Sequence, residues 1–490
     1  MREDREVAQR GTGSGARGGR SRRSFFGLAA AGTAAFALAA CSSDNTSSDS
    51  GSGSSAAGSG SEDPKSIAID AYVFGYPLVL MDVTRTQAEA VTPVNRFQHA
   101  TTLPGPERRD VVRLNLDTLY SMAWLDLAAE PVVLQIPEVP DNRYWLMQIM
   151  DAWSNTQHDP GSVRPQVKSG ASAPPYTYAL TGPGWSGSLP DSVTQLAVPT
   201  PTAWILGRIE VNGNDDIPNV EAVQQKMKLV PLSDWTAGRD APVAPTVPAD
   251  TSMPPVKEVA AMDAAAFFQR VDALLAVNPP AAADADAMSR FAKIGVTPGG
   301  TVTGISAEDL TAAASAAAQR IQQFDDPEQK DENGWKFATD VGTYGTDYLL
   351  RANIALQGLG ANLPRDAVYP TIFTTADTNG TPKRFRLRFA AGQTPPVDAF
   401  WSITAYDADG FLIPNSAAIY AIGHQVPVTL DPDGSLNLVV QNADPGPDVP
   451  QGNWLPIPAA GPFSLTLRMY SPKDNVIDGS WQVPALNTVS

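Results

Sequence analysis

Apolar positions between residues 66 and 89 recur at helical spacing, with Ile67, Ala71, Phe74, Leu78 and Met81 on one stripe. Gly75 and Pro77 fall inside it, so a kinked helix or two short helices is expected. From 110 to 212 the pattern shortens to strands. Residues 131–136 are apolar and β-branched, 144–150 alternate bulky and polar side chains, and 176–180 and 203–211 read likewise. Gly182-Pro183-Gly184 and Gly187 punctuate the turns. Helical periodicity returns between 256 and 360, where Val259, Met262, Val271 and Leu275 share a stripe. Ser306-Ala307-Glu308-Asp309 has the form of a capping box opening an alanine-rich helix to about residue 324. A third helix over 344–357 stops at Gly358 and Gly360. Thereafter the chain is β again. Residues 384–389 alternate, 400–406 form an aromatic-rich strand before the turn Asp407-Ala408-Asp409-Gly410, and 435–441 and 463–470 complete the series.

This order predicts an α+β chain: an N-terminal mixed α/β domain over 63–235, a linker and helical insert over 236–360, and a C-terminal jelly-roll-like β-sandwich over 361–490. The stretch 234–255, rich in Pro, Ala and Thr, is the expected linker.

The first 62 residues stand outside this pattern. Seven arginines precede an apolar run over 25–40, too short to span a bilayer comfortably. That is the layout of a signal peptide. Ser21-Arg22-Arg23-Ser24-Phe25-Phe26 resembles a twin-arginine export signal. Leu38-Ala39-Ala40-Cys41 resembles a lipobox, which implies a diacylglycerol on Cys41. The following Ser/Gly-rich residues 42–61 would act as a flexible tether. The expected location is extracytoplasmic, lipid-anchored to a membrane of the cell envelope.

Charge and cysteine usage narrow the chemistry. Without the first 40 residues, 28 basic residues face 49 acidic ones, a net of −21. So acidic a body does not suit nucleic acid. Cys41 is the single cysteine, and the three histidines (His99, His158, His424) share no metal spacing. Carboxylates alone would still suit calcium or magnesium, but no motif asks for a metal or a cofactor. There is no Gly-rich phosphate loop, no G-x-S-x-G and no H-E-x-x-H.

Three groups of residues carry candidate chemistry. Residues 115–121 contain Asn115, Asp117, Thr118 and Tyr120. On an extended chain Asn115 and Asp117 face one way and Thr118 and Tyr120 the other. A turn would let them converge on a ligand, with Asp117 as acid or base; the same residues also suit a simple Asx turn. Past the next strand come Asp151, Trp153, Asn155, Gln157 and His158. Carboxylates beside aromatic rings are what a sugar site uses, and Asp117 with Asp151 would form a glycosidase-like acid/base pair if they stood about 5–10 Å apart. Alternatively Trp153 is core and Asp151 caps a turn. The third group is Trp401, Tyr406, Asp407, Asn453, Trp454, Arg468 and Tyr470. It offers Trp401 and Arg468 to a ligand, or forms sandwich core with Arg468 paired to a carboxylate such as Asp407.

Some of these segments resemble a known family. Asn115-Leu116-Asp117-Thr118-Leu119-Tyr120-Ser121, Pro131-Val132-Val133-Leu134, residues 144–151 and Gly182-Pro183-Gly184-Trp185 resemble domain-of-unknown-function family 1254. Pro395-Pro396-Val397-Asp398-Ala399-Phe400-Trp401-Ser402, Thr404-Ala405-Tyr406-Asp407, Asp433-Gly434-Ser435, Asn453-Trp454-Leu455-Pro456 and Arg468-Met469-Tyr470 resemble family 1214, which commonly follows it. The chain departs from the first pattern at Leu114 and Leu116, and from the second at Thr381-Pro382-Lys383-Arg384. The resemblance implies a mixed α/β domain followed by a jelly-roll-like sandwich, and no reaction.

The leading functional expectation is an envelope lipoprotein that binds a neutral or carbohydrate-like ligand in a cleft between domains. Its candidate ligand contacts are Asn115, Tyr120, Trp153, Trp401 and Arg468. A carboxylate-dependent envelope hydrolase using Asp117 and Asp151 is the alternative, and a structural or assembly lipoprotein is the third.

Overall fold

The computed structural model of the chain describes residues 62–109, 112–240 and 253–489. The expectations for Cys41, its export signal and its tether lie outside the described residues, as does most of the 234–255 linker. The architecture is α+β, with helices and strands segregated into three packed units.

The helical unit is built around Pro64–Glu89. Asp63 caps it by accepting the Lys65 N–H at 3.2 Å, and Pro64 takes the first turn, where its missing N–H costs nothing. One continuous helix spans Gly75 and Pro77, so of the two expectations the division into two short helices is corrected. Packing explains this. A Cβ at Gly75 would lie 2.7 Å from Val271 Cγ2, so the glycine admits a neighbouring helix. Pro77 is buried beside the core of Phe74, Phe267, Phe291 and Ile321, and that packing offsets the lost backbone bond. Pro64–Glu89 has the length and hydropathy of a membrane span, and 83% of its apolar window is buried within the structure. Around it pack Ala264–Val277, Ala307–Gln322 and Tyr348–Gly358. Each opens on a side-chain cap: Asp263 on the Ala266 N–H, Ser306 on that of Asp309 and Asp347 on that of Leu350. The first helix thus joins the later helical segment in space, although an entire β unit separates them in sequence.

That β unit contains a five-stranded sheet in the order Gln98–His99, Thr118–Asp126, Thr202–Glu210, Trp145–Asp151, Thr156–His158. A four-stranded sheet in the order Thr194–Ala197, Tyr176–Thr181, Val132–Ile136, Lys228–Pro231 closes over it. Leu134, Met147, Ile149, Tyr178, Leu180 and Ile205 fill the space between them.

The C-terminal unit also has two sheets. A seven-stranded sheet centres on Thr371–Thr375, Pro462–Tyr470 and Trp401–Asp407. A four-stranded sheet centres on Arg384–Phe389 and Leu436–Gln441. Phe385, Leu387, Ile403, Leu438, Leu465 and Leu467 form the core between them.

Alternation along the central strand positions the site. Phe463, Leu465, Leu467 and Met469 enter the sandwich core. Ser464, Thr466, Arg468 and Tyr470 point to the opposite face, as period two requires. That face would ordinarily meet water. Here it is buried, roofed by residues 113–117 and by the five-stranded sheet.

Candidate functional site

Residues 113–117 descend onto the polar face and make the first layer of the site. Asn115 Oδ1 accepts the N–H groups of Asp117 (2.7 Å) and Thr118 (3.3 Å), the Asx turn foreseen for it. Its amide also donates to the Tyr470 phenol at 2.8 Å. Asp117 is fully buried and accepts from Ser402 Oγ at 2.7 Å through Oδ2, while Oδ1 has no partner. Arg468 donates to Thr404 Oγ1 at 3.0 Å, to the Tyr406 phenol at 2.6 Å and to the Arg113 carbonyl at 3.1 Å. Burial disfavours its charge, but the Tyr406 and Tyr470 phenols and the Asp117 carboxylate outweigh that and hold its pKa above the ordinary value. Arg113 donates to Ser464 and Thr466 at 3.2 and 3.3 Å. Burial, and then the like charge of Arg468, push its pKa down to about 10.

A third buried arginine stands on the five-stranded sheet. Arg208 Nη1 donates to Gln148 Oε1 at 2.8 Å and to the Leu206 carbonyl at 3.3 Å, and Nη2 lies 3.5 Å from the Gly360 carbonyl. Its guanidinium sits 5.4 Å from the centre of the Tyr120 ring. Gln148 in turn donates to the Ala361 carbonyl at 2.8 Å. Arg208 Nε and the Tyr144 phenol are both buried without a hydrogen-bond partner.

The turn that Arg208 and Gln148 grip is also the wall of a cavity of about 270 Å³. This cavity opens between Tyr348–Gly358, residues 361–362 and the C-terminal strands Trp335–Phe337 and Thr371–Thr375. Asn353, Gln357, Asn362, Tyr369 and Thr371 supply amides and hydroxyls, and Phe324, Phe337 and Phe373 supply rings. Lys336 and Asp326 are its two charged members, one of each sign. Asn362 donates to the Tyr369 phenol at 2.6 Å, and Thr371 meets Thr466 at 3.1 Å, so the cavity wall is continuous with the buried polar layer. Burial pushes Tyr369 up to about 12, with Arg208 opposing the shift.

Of the residues expected from sequence, Asn115, Asp117, Tyr120 and Arg468 do come together. Asp151 does not join them. Asp151 pairs with Ala203, whereas Thr118, next to Asp117, pairs with Glu210. Seven residues along one strand at about 3.3 Å each put the two carboxylates about 23 Å apart. The glycosidase-like pair is therefore corrected: the spacing is far beyond its reach. Asp151 instead caps a turn, accepting the N–H groups of Trp153 and Asn155 (both 2.9 Å) and the Gln157 amide (2.8 Å). Burial raises its pKa despite those bonds. Trp153 is core, packed on Phe74 at 4.9 Å and under the Arg351 guanidinium at 5.1 Å. Trp401 falls on the sandwich side of its strand against Phe389, whereas its neighbour Ser402 faces Asp117. Arg468 neighbours Asp117 and not Asp407, which pairs with Arg109 at 3.1 Å.

Sequence reasoning missed Arg208, Tyr144, Gln148, Asn362 and Tyr369. Two signals were available: an arginine inside the otherwise apolar 203–211 run, and the Ser464, Thr466, Arg468 alternation, whose polar members look like a solvated face. Among the described residues, no group of three or more His, Cys, Asp and Glu side chains is placed to hold a metal ion.

Residues 94–231 match the family model described as protein of unknown function DUF1254, and residues 366–474 match that described as protein of unknown function DUF1214. No curated protein matches the chain. The crystal structure of the VPA0106 protein from Vibrio parahaemolyticus shares the fold, with a TM-score of 0.63 at 23% identity over 87% of this chain and 100% of that one. A Burkholderia cenocepacia protein aligns at a TM-score of 0.40 and 13% identity, over 87% and 93% of the two chains. The chain belongs to the two-domain family in which a DUF1254 region precedes a DUF1214 region.

Proposed function

We propose that this family member is a lipid-anchored protein of the cell envelope that binds a small carbohydrate-like molecule in the 270 Å³ cavity. The lining carries the reading. Amides and hydroxyls at Asn353, Gln357, Asn362 and Thr371 are matched to the hydroxyls of a sugar, and Phe337 and Phe373 offer ring faces to its C–H bonds. Lys336 and Asp326 balance, so the lining itself carries no net charge. The site is built for binding and not for hydrolysis by paired carboxylates, because Asp117 and Asp151 occupy opposite ends of their sheet. The anchor rests on the Leu38-Ala39-Ala40-Cys41 pattern behind the twin arginines.

Two experiments test the proposal. Calorimetric titration of the full-length protein with a panel of monosaccharides and disaccharides should give binding that Gln357→Ala weakens at least tenfold without moving the Tm. Absence of binding across the panel refutes the ligand reading and favours a structural role. Cys41→Ser should shift the protein from the membrane to the soluble fraction, and retention in the membrane refutes the anchor.

A further inference from the structure

We infer that the ligand is a sugar acid, its carboxylate bound by Arg208 behind the Asn362–Tyr369 wall of the cavity; this rests on the carbohydrate reading above and names the class within it.

Arg208 is 1% exposed, and its hydrogen-bond partners are neutral: an amide oxygen and two backbone carbonyls. Arg468 by contrast has the Asp117 carboxylate as a neighbour. Burial disfavours the Arg208 charge, and it is the phenols of Tyr120, Tyr369, Tyr144 and Tyr470, with no carboxylate among them, that offset it.

The free edge of Arg208 has the right form for that partner. Nη1 is occupied, but Nε has no partner and Nη2 has only the Gly360 carbonyl at 3.5 Å. Nε and Nη2 together make one side of the guanidinium fork, the side that binds a carboxylate through two parallel hydrogen bonds. Tyr144, 3% exposed and unpartnered at its phenol, adds a neutral donor. Asn362, 2% exposed, keeps Oδ1 unpartnered while its amide holds Tyr369.

The route is short, because one turn serves both places. Gly360 faces Arg208, and Gly358, Ala361 and Asn362 on either side line the cavity. Entry requires the Asn362–Tyr369 hydrogen bond to open, which exchanges one neutral bond for two charge-assisted ones. A single carboxylate would match the single charge of Arg208, whereas a phosphate dianion would bury surplus charge.

The test titrates the full-length protein with D-galacturonate against D-galactose, and D-glucuronate against D-glucose. The acid of each pair should bind at least tenfold more tightly. Arg208→Gln should abolish that preference and leave the neutral sugar within twofold of wild type. Asn362→Asp, which sets a carboxylate beside the entry, should cut acid binding at least tenfold more than it cuts neutral-sugar binding. It carries the test should Arg208→Gln fail to fold. Equal affinity within each pair, or an acid preference that survives in the folded variants, overturns this inference and leaves the carbohydrate reading standing. No binding of any of the four overturns both.

Discussion

Replacing Asp366 by asparagine should flatten the pH dependence of stability between pH 5 and 8. Asp366 directly precedes the strand Ala367–Val368, and Asp159 directly follows the strand Thr156–His158; both are 1% exposed. Arg164 donates to Asp366, and Arg365 grips Asp159 through Nε at 2.6 Å and Nη2 at 2.8 Å. Burial, and then the adjoining Asp159 carboxylate, push Asp366 from 3.8 to about 8. Burial alone would raise Asp159 too, but its bonds to Arg365 and Asp366 outweigh that and hold it below the ordinary range. Between about pH 4 and pH 8 the folded protein therefore keeps a proton on Asp366 that the unfolded chain has released, and stability falls as pH rises through that window. Asp159 works the other way and only in acid: its contribution is complete above its ordinary pKa and fades as pH falls. At about 1.36 kcal/mol per pH unit, the loss from Asp366 between pH 5 and 8 is at most about 4 kcal/mol. The asparagine amide donates to Asp159 as the protonated acid does, but does not titrate. Urea midpoints followed by tryptophan fluorescence should nearly coincide for the two proteins at pH 5 and separate by pH 8, with Asp366→Asn the more stable. Parallel midpoints from pH 5 to 8 would refute the shared proton, since other titrating groups cancel in the difference.

Asp117→Asn should lower stability by about 3–5 kcal/mol in urea unfolding, because it removes the carboxylate nearest buried Arg468; a loss under 1 kcal/mol would mean that Arg468 does not need it. Gly75→Ala should cost about 1–3 kcal/mol by overpacking against Val271, even though alanine is the better helix former. Val271→Ala in the same chain should restore most of that loss in a double-mutant cycle.

The strands were legible wherever one face was apolar. The 463–470 and 384–389 alternations correspond to Pro462–Tyr470 and Arg384–Phe389, and the 306–309 capping box opens Ala307–Gln322. The division into two helices at Gly75 and Pro77 was misjudged because local propensity says nothing of a neighbour needing the space over a glycine. Asn115, Asp117 and Arg468 were found because polar groups so close to apolar strands are conspicuous. Arg208 and Tyr144 were not, since each sits singly in a run that otherwise reads as core. Their role appears only when a sheet from one end of the chain is laid against a turn from the middle and a sheet from the other end. Periodicity carries no information about such long-range meetings.

The C-terminal sheet, apolar on one side and polar on the other with both sides covered, makes the two matched regions inseparable. A fragment beginning at residue 361 would lose the Arg113 and Leu114 carbonyls that receive Arg468 and the Tyr406 phenol. It would expose a trough of arginine, tyrosine and threonine shaped to a missing roof. An N-terminal fragment would lose Ser402 against Asp117 and the strand bearing Tyr470 against Asn115. The same polar row fixes strand alignment. A slip of one residue in Pro462–Tyr470 would drive Arg468 into the sandwich core, so misaligned pairing is heavily penalised. Synthesis, quality control and proteolytic turnover would accordingly treat the two regions as one object, gained and lost together.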